Sequence, residues 1–363
     1  MNILVDIGHP AHVHLMKYTI KELVAKGHKV TISTKDVPII KRLLEKEGFN
    51  YINLGKKGQG LFEKMLFQLK FYARMLRIIK KERIDIGTGT SMSIPLLSKL
   101  SRMKSINMDD DDDEVQSISV RFVHPFSDVR LTPDAILGHR KSKAALFYAG
   151  CHELAYLHPK RFVPDESVLA RCGFKKGDVY FIMRFVAFQA YHDNGQYGLS
   201  KDQKKHIVEL LSKYGRVIIT SERELDPDFE PYRLPVPPEE IHSLMAYSSL
   251  FVGDSQTMTS EAAILGVPAV KCNTFAGVLS VPNELEYKYG LCYSYQPAEF
   301  DRFYERIQSL IESPDTHKEW EKKRERFLND KIDVTAFFTW FIENYPESKT
   351  IMQNNPEYQL RFR

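Results

Sequence analysis

Leu250–Val270 reads LFVGDSQTMTSEAAILGVPAV, and its order of apolar and polar residues decides the fold class. Leu250, Phe251 and Val252 form a short apolar run of the kind that makes a strand buried on both faces. Asp254 and Ser255 interrupt it with side chains suited to cap a helix. Residues 257–265 carry that helix, and Gly266 stops it in the usual C-terminal position. Ala269-Val270-Lys271-Cys272 begins the next strand. Strand, turn, helix and strand in so short a span make a βαβ unit, which implies a parallel sheet.

The turn of this unit is also the strongest candidate for chemistry. Backbone N–H groups at a helix start lack intrahelical partners and carry partial positive charge, which suits a phosphate. Ser255 and Thr257 add hydroxyls there, and Gln256 and Met258 complete the first turn. Glu261 lies about one turn further on, where its carboxylate could accept bonds from ribose hydroxyls. Ligands of open α/β sheets bind at this edge. An ordinary helix capped by Asp254 or Ser255 explains the same residues, so both readings stand.

The pattern repeats outward. Strands are expected at 179–184, 216–220 and 269–272, with helices at 201–214 and 238–247 and two or three more between 298 and 345. An earlier series opens with the apolar run NILVDI at 2–7, the turn Gly8-His9-Pro10 and a helix from Ala11 to Lys26. Strands near 30–33, 49–54, 83–88 and 104–108 continue it. Residues 150–178 lack clean periodicity and are expected to connect the two series. The chain therefore reads as α/β, two Rossmann-like domains facing a central cleft. Residues 1–160 form the first domain and 161–345 the second, with a polar, loosely held tail at 346–363.

Composition narrows the function classes. The 363 residues carry 51 basic and 47 acidic side chains, too even a balance to imply nucleic-acid binding. The four cysteines stand far apart, with neither zinc-knuckle nor redox spacing, and are expected as free thiols in a reducing cytoplasm. No secretory signal precedes the first strand, and no apolar run approaches a membrane span. Residues 56–83 hold nine basic residues against two acidic ones, with Leu61, Phe62, Met65, Leu66, Leu69, Met75, Leu76 and Ile79 at helical spacing. Such a helix can lie on an anionic membrane, or can be a core helix with a basic solvated face. Asp109 to Glu114 are six consecutive acids. They suit a solvated loop or a helix N-terminus, and at DxD spacing two of them could hold a divalent metal.

The Gly253–Pro268 segment resembles the C-terminal nucleotide-binding motif of GT-B proteins. It is similar to that of UDP-N-acetylglucosamine 2-epimerases, which runs Asp-Ser-Gly-Gly, then an acidic pair, then Leu-Gly-x-Pro. The resemblance implies that Ser255, Gln256 and Thr257 meet a diphosphate and that Glu261 meets the ribose. Gln256 and Thr257 stand where that family has glycines, which bears on how closely backbone can approach phosphate. The loop Gly8-His9-Pro10-Ala11-His12-Val13-His14 resembles the Gly-rich loop ending in His of peptidoglycan N-acetylglucosaminyltransferases. His12 aligns with that histidine, and with His9 beside it could act as general base toward a hydroxyl.

Over about residues 1–340 the chain resembles an uncharacterised GT-B-like family, a domain of unknown function. The shared pieces are the His-Pro-x-His loop, Arg184 before Tyr191-His192-Asp193, the Gly253–Pro268 segment, and Glu284-Leu285-Glu286-x-Lys288-Tyr289-Gly290. Arg184 could clamp a diphosphate bidentately. His192 and Asp193 would face the cleft, and Glu284 and Glu286 would approach the sugar from a loop. The expected function is a metal-independent, nucleotide-sugar-dependent glycosyltransferase of cell-surface glycan or glycolipid synthesis. It would need no cofactor beyond its donor, and would be cytoplasmic, with a lipid-linked or glycan acceptor and an anionic membrane surface as partners. A 2-epimerase and a non-catalytic nucleotide-binding protein are the alternatives.

Overall fold

The apolar runs that open each α/β series become interior strands of two parallel sheets. The structure, a computed structural model, describes residues 1–56, 60–185, 197–221 and 224–363. The chain divides into two compact units, Met1–Tyr156 with Lys331–Arg363 (unit 1) and Leu157–Asp330 (unit 2).

Unit 1 contains β1 (Asn2–Ile7), β2 (Lys29–Thr34), β3 (Tyr51–Asn53), β4 (Ile86–Gly89), β5 (Lys104–Met108), β6 (Val129–Pro133) and β7 (Ala145–Tyr148). They form one sheet in the order β3-β2-β1-β4-β5-β6-β7, every pair parallel. Ile3, Leu4 and Val5 have no exposed surface, as a doubly covered parallel strand requires. Strand order reverses between β1 and β4, the switch point where doubly wound sheets open toward ligands. Gly89 ends β4 with φ +121°, and a Cβ there would lie 2.6 Å from the Asp6 carbonyl oxygen. Only glycine permits that approach.

The basic helix spans Leu61–Lys81 and serves both readings in different halves. Phe71, Met75 and Ile79 pack into the core with Leu4, Leu54 and Ile94. One or two turns earlier, Met65 and Leu69 are 57% and 60% exposed.

Unit 2 contains β8 (Tyr180–Phe185), β9 (Arg216–Ser221), β10 (Leu250–Gly253), β11 (Ala269–Cys272) and β12 (Cys292–Tyr295). Their order is β12-β11-β10-β8-β9, again all parallel. Ile219 of β9 forms one further parallel bridge, to Arg233. A third strand is thus reduced to a single residue pair, and with it the winding matches that of unit 1. The switch point lies between β8 and β10. Gly253 ends β10 as Gly89 ends β4: a Cβ there would sit 2.5 Å from the Arg184 carbonyl oxygen.

Two expectations change. The segment from Lys331 onward returns to unit 1 instead of closing unit 2. Asp333 caps the helix Val334–Glu343, whose Phe337, Phe338, Phe341 and Ile342 are fully buried. Residues 346–363 are not a loose tail but a helix, Glu347–Asn354, and a 3-10 turn, Pro356–Phe362. Gln359 there accepts a bond from Ala149 N at 2.7 Å and donates to Phe147 O at 3.3 Å, so it serves the free edge of β7. A few anchors against Trp340 suffice where average polarity suggests none: the rings of Tyr358 and Phe362 lie 4.9 and 5.5 Å from it. All four cysteines are buried and free. Among the described residues no helix is long and apolar enough to cross a membrane.

Candidate functional site

The C-terminal edge of the unit 2 sheet carries most of the residues picked out in the sequence. Ser255 sits in extended conformation as N-cap of the helix Gln256–Leu265, its hydroxyl accepting from Met258 N at 3.3 Å. Its carbonyl accepts from the Thr259 hydroxyl at 2.6 Å. Thr257 is exposed and Met258 half-buried, so the first turn of the helix faces outward. Asp254 is buried: its carboxylate lies 3.8 Å from Lys204 Nζ, and its carbonyl accepts from Asn273 Nδ2 at 2.8 Å.

Gln256 has a local reason to stand where a glycine was the expectation. Its side-chain oxygen accepts from the ammonium of Lys271, which is only 1% exposed. Burial pushes the Lys271 pKa down to about 8. A buried cation therefore lies behind the first turn of the helix, held by the residue that replaces the glycine. Glu261 is also buried, with Oε1 2.9 Å from His242 Nε2. Arg184 donates to the Thr220 hydroxyl on β9 at 3.1 Å, while its carbonyl accepts from Asp254 N at 3.2 Å. At the same edge a cavity of about 250 Å³ is lined by Phe185, Lys201, Lys204, Ser221, Leu225 and Phe229, among others.

Glu284 and Glu286 do not lie in a loop. They belong to a π-helical turn, Glu284–Lys288. Glu284 pairs with Lys288 at 3.2 Å, and Glu286 accepts from Ser294 N of β12 at 3.1 Å. Both therefore have local structural partners. His192 and Asp193 lie outside the described residues. Sequence reasoning missed Lys204, His242, Lys271 and Asn273. Of these only Lys271, a lysine inside an apolar strand, carried a visible signal.

The corresponding edge of unit 1 is more heavily charged. His9 caps the helix Pro10–Ala25, its Nδ1 accepting from Ala11 N at 3.2 Å. His12 Nδ1 accepts from Gly8 N at 3.3 Å, and the Thr90 hydroxyl lies 2.6 Å from its Nε2. Burial, then the neighbouring His9 and His152, push the His12 pKa down to about 3, so the ring stays neutral. Beneath it Asp6 accepts from the hydroxyls of Ser33 and Ser91.

The acidic run is not a solvated loop. Asp109, Asp112 and Asp113 are 7%, 3% and 6% exposed. Asp109 accepts from Arg130, from Arg140 at 2.8 Å and from Gln116 at 2.9 Å. Arg140 lies 3.1 Å from Asp113 and donates to the Asp111 carbonyl at 2.7 Å. Burying these acids is tolerable only because two guanidinium groups neutralise them. Carboxylate oxygens of Asp109, Asp110 and Asp111 lie within 4.8 Å of one another. With Asp109 already held by two cations, this donor set fits a divalent metal poorly. Asp110 turns out of the knot: its Oδ2 lies 2.9 Å from Nδ1 of His152, a residue the sequence reading passed over.

Comparison with known proteins agrees with this architecture. A family model described as "Protein of unknown function (DUF354)" matches residues 1–334. An uncharacterised protein of Methanocaldococcus jannaschii is 23% identical over 286 residues, covering 75% of this chain and 82% of that protein. Among solved structures, UDP-GlcNAc 2-epimerase from Neisseria meningitidis bound to UDP-GlcNAc aligns with a TM-score of 0.66 at 14% identity, over 94% of this chain and 100% of that one. The glycosyltransferase VinC in complex with DTDP aligns with a TM-score of 0.59 at 12% identity, over 98% of this chain and 100% of that one. The fold is that of the GT-B group, with two Rossmann-like domains.

Proposed function

The chain belongs to the DUF354 family, and on that premise we propose that it is a nucleotide-sugar-dependent glycosyltransferase. The observation that carries the reading is the Ser255-capped helix start at the unit 2 switch point, with Gly253 bringing β10 close against β8. In this reading the outward-facing first turn at Gln256, Thr257 and Met258 holds the donor's diphosphate. Lys271 behind it and Arg184 beside it oppose the negative charge that grows on the leaving group. These cations do the work a metal would otherwise do, so the transfer is metal-independent. Glu261, oriented by His242, is the ribose contact. Unit 1 handles the acceptor hydroxyl at the His9–His12 loop.

Exposed Met65, Leu66 and Leu69 stand beside the exposed Lys70, and the same helix ends in the exposed Lys80 and Lys81. We assign that helix to an anionic membrane surface, which suits a lipid-linked acceptor and a cytoplasmic protein held peripherally. Vesicle flotation with and without anionic lipid tests it. Recovery from neutral vesicles equal to that from anionic ones would count against the assignment.

A thermal-shift screen against UDP-, GDP-, TDP- and CMP-sugars tests the donor site, because binding to the folded state alone raises Tm. One nucleotide class should raise Tm, and Ser255→Ala should reduce that shift. No shift with any of them removes the reading. An epimerase is the second reading, favoured by Asp110 and Asp111 at the edge of unit 1. Incubation with UDP-N-acetylglucosamine in deuterated water separates the two, since only epimerisation places deuterium at C2 without an acceptor.

A further inference from the structure

We propose that the proton acceptor of the unit 1 site is His152, oriented by Asp110, and that His12 is not. The inference rests on the glycosyltransferase reading and assigns the base within it. His152 follows β7, where the chain turns back until the ring of Tyr156 meets that of His14 at 5.5 Å. His152 is 8% exposed, and its Nδ1 lies 2.9 Å from Asp110 Oδ2. An ionised carboxylate only accepts, so Nδ1 carries the hydrogen and Nε2 is the basic atom. Among the described residues that Nε2 is buried and has no hydrogen-bond partner. A buried ring nitrogen without a partner is costly to the fold, and a substrate hydroxyl is the group that would complete it.

The acidic run acquires a second role in this arrangement. Asp109 and Asp113 pair with the guanidinium groups and the Asp111 carbonyl accepts from Arg140, whereas the Asp110 carboxylate pairs with His152. The groups facing His152 are Asp110 and Asp111 from the segment after β5, Glu153 from its own segment, and His12 from the helix Pro10–Ala25. Asp110 stabilises the imidazolium and raises the His152 pKa, although burial works against it. His12 has the opposite surroundings, and its pKa near 3 leaves it able to orient a hydroxyl but a poor sink for its proton.

The step balances as follows. Nε2 takes the acceptor hydroxyl's proton, and the hydroxyl oxygen forms a bond to the anomeric carbon of the sugar. The bond from that carbon to the diphosphate breaks, and the nucleoside diphosphate leaves with the electron pair. Asp110 touches no reacting atom and is a positioning residue.

The test uses the full chain in two arms. In the first, ring-labelled histidine NMR follows each imidazole with pH, and His152→Gln identifies the His152 signal. It should titrate above the ordinary value near ~6.5 and fall in Asp110→Asn. Titration at or below the ordinary value in the unaltered protein overturns the pairing. In the second, release of UDP from UDP-N-acetylglucosamine with water as acceptor is measured against pH. His152→Gln should lower kcat by ~10²–10⁴-fold with the half-saturating donor concentration little changed. Asp110→Asn should lower the plateau and move the acid limb to lower pH, because the imidazolium loses its counter-charge. Loss of less than tenfold in His152→Gln overturns the assignment and leaves the transferase reading standing. Failure of the unaltered protein to bind or cleave any nucleotide-sugar overturns the transferase reading, and the assigned base falls with it.

Discussion

The two switch points share a backbone and differ in what stands on it. In both, a glycine ends the second strand with its Cα against a carbonyl of the first, Gly89 on Asp6 and Gly253 on Arg184. In unit 2 the strand then leads into small polar side chains and one exposed helix start. In unit 1 the same edge carries His9, His12, Asp6 and Thr90, and the acid–guanidinium knot follows β5. A site that holds a diphosphate needs fixed donors and little else. A site that moves a proton needs ionisable groups at unequal pKa values, and these are expensive to bury. In the proposed reading the contrast is one between a binding edge and a chemical edge.

The largest effect should come from breaking the knot. Arg140 is fully buried and serves both Asp109 and Asp113, so Arg140→Met leaves a buried acid half-neutralised. We expect unit 1 to lose about 3–5 kcal/mol of stability, with unit 2 little affected. The two tryptophans report the units separately, Trp320 in unit 2 and Trp340 in unit 1. Urea titrations of Trp320→Phe and Trp340→Phe backgrounds should show the loss only in the Trp340 signal. An equal shift in both would mean that the units do not unfold independently.

Acid should sharpen the same contrast. Burial and Arg140 hold the His124 pKa down to about 4, and His12 lies near 3. Groups with depressed histidine pKa values take up protons on unfolding, so their contribution is intact above ~6.5 and is lost as pH falls toward the folded values. His124 alone should cost unit 1 roughly 3 kcal/mol by pH 4. His152, Asp111 and Asp6, with their raised pKa values, work in the other direction and offset part of this, so the His124 contribution is read as the difference from His124→Gln. Denaturant titrations from pH 7 to 4, read at Trp340, should show the decline, and His124→Gln should flatten it.

The glycines come next. Gly89→Ala and Gly253→Ala should each cost about 1–3 kcal/mol through backbone collision. Gly89 should cost more, because its φ of +121° adds conformational strain. Equal effects by chemical denaturation would show that the collision alone matters. The smallest effect should be Ser255→Ala, about 1 kcal/mol from the lost cap. Its main consequence would be weaker nucleotide binding, measured by calorimetry.

What could be read in advance follows from how local each signal is. The βαβ unit at Leu250–Val270 was legible because strand, cap and helix stop lie within 21 residues. β6 and β7 were not, since β6 carries Arg130 and Thr132 in a strand that is wholly buried. Arg130 belongs there because it neutralises Asp109, a partner 21 positions away that no periodicity reveals. The acidic run looked solvated for the same reason. Gln256 looked like a departure from a glycine motif until Lys271 supplied its partner. Side chains whose roles depend on a distant counter-charge are the ones a linear reading misplaces.

Unit 1 is interrupted by the whole of unit 2, and Gln359 and its neighbours complete the rim of β7. During synthesis the ribosome therefore delivers all of unit 2 before unit 1 has its last pieces. Domains commonly fold as they emerge, so unit 2 should reach its native state first while the β7 rim waits, exposed, for Lys331–Arg363. An unfinished strand edge of this kind invites pairing with another chain. Nascent chains stalled before residue 331 should then recruit chaperones more than those released whole.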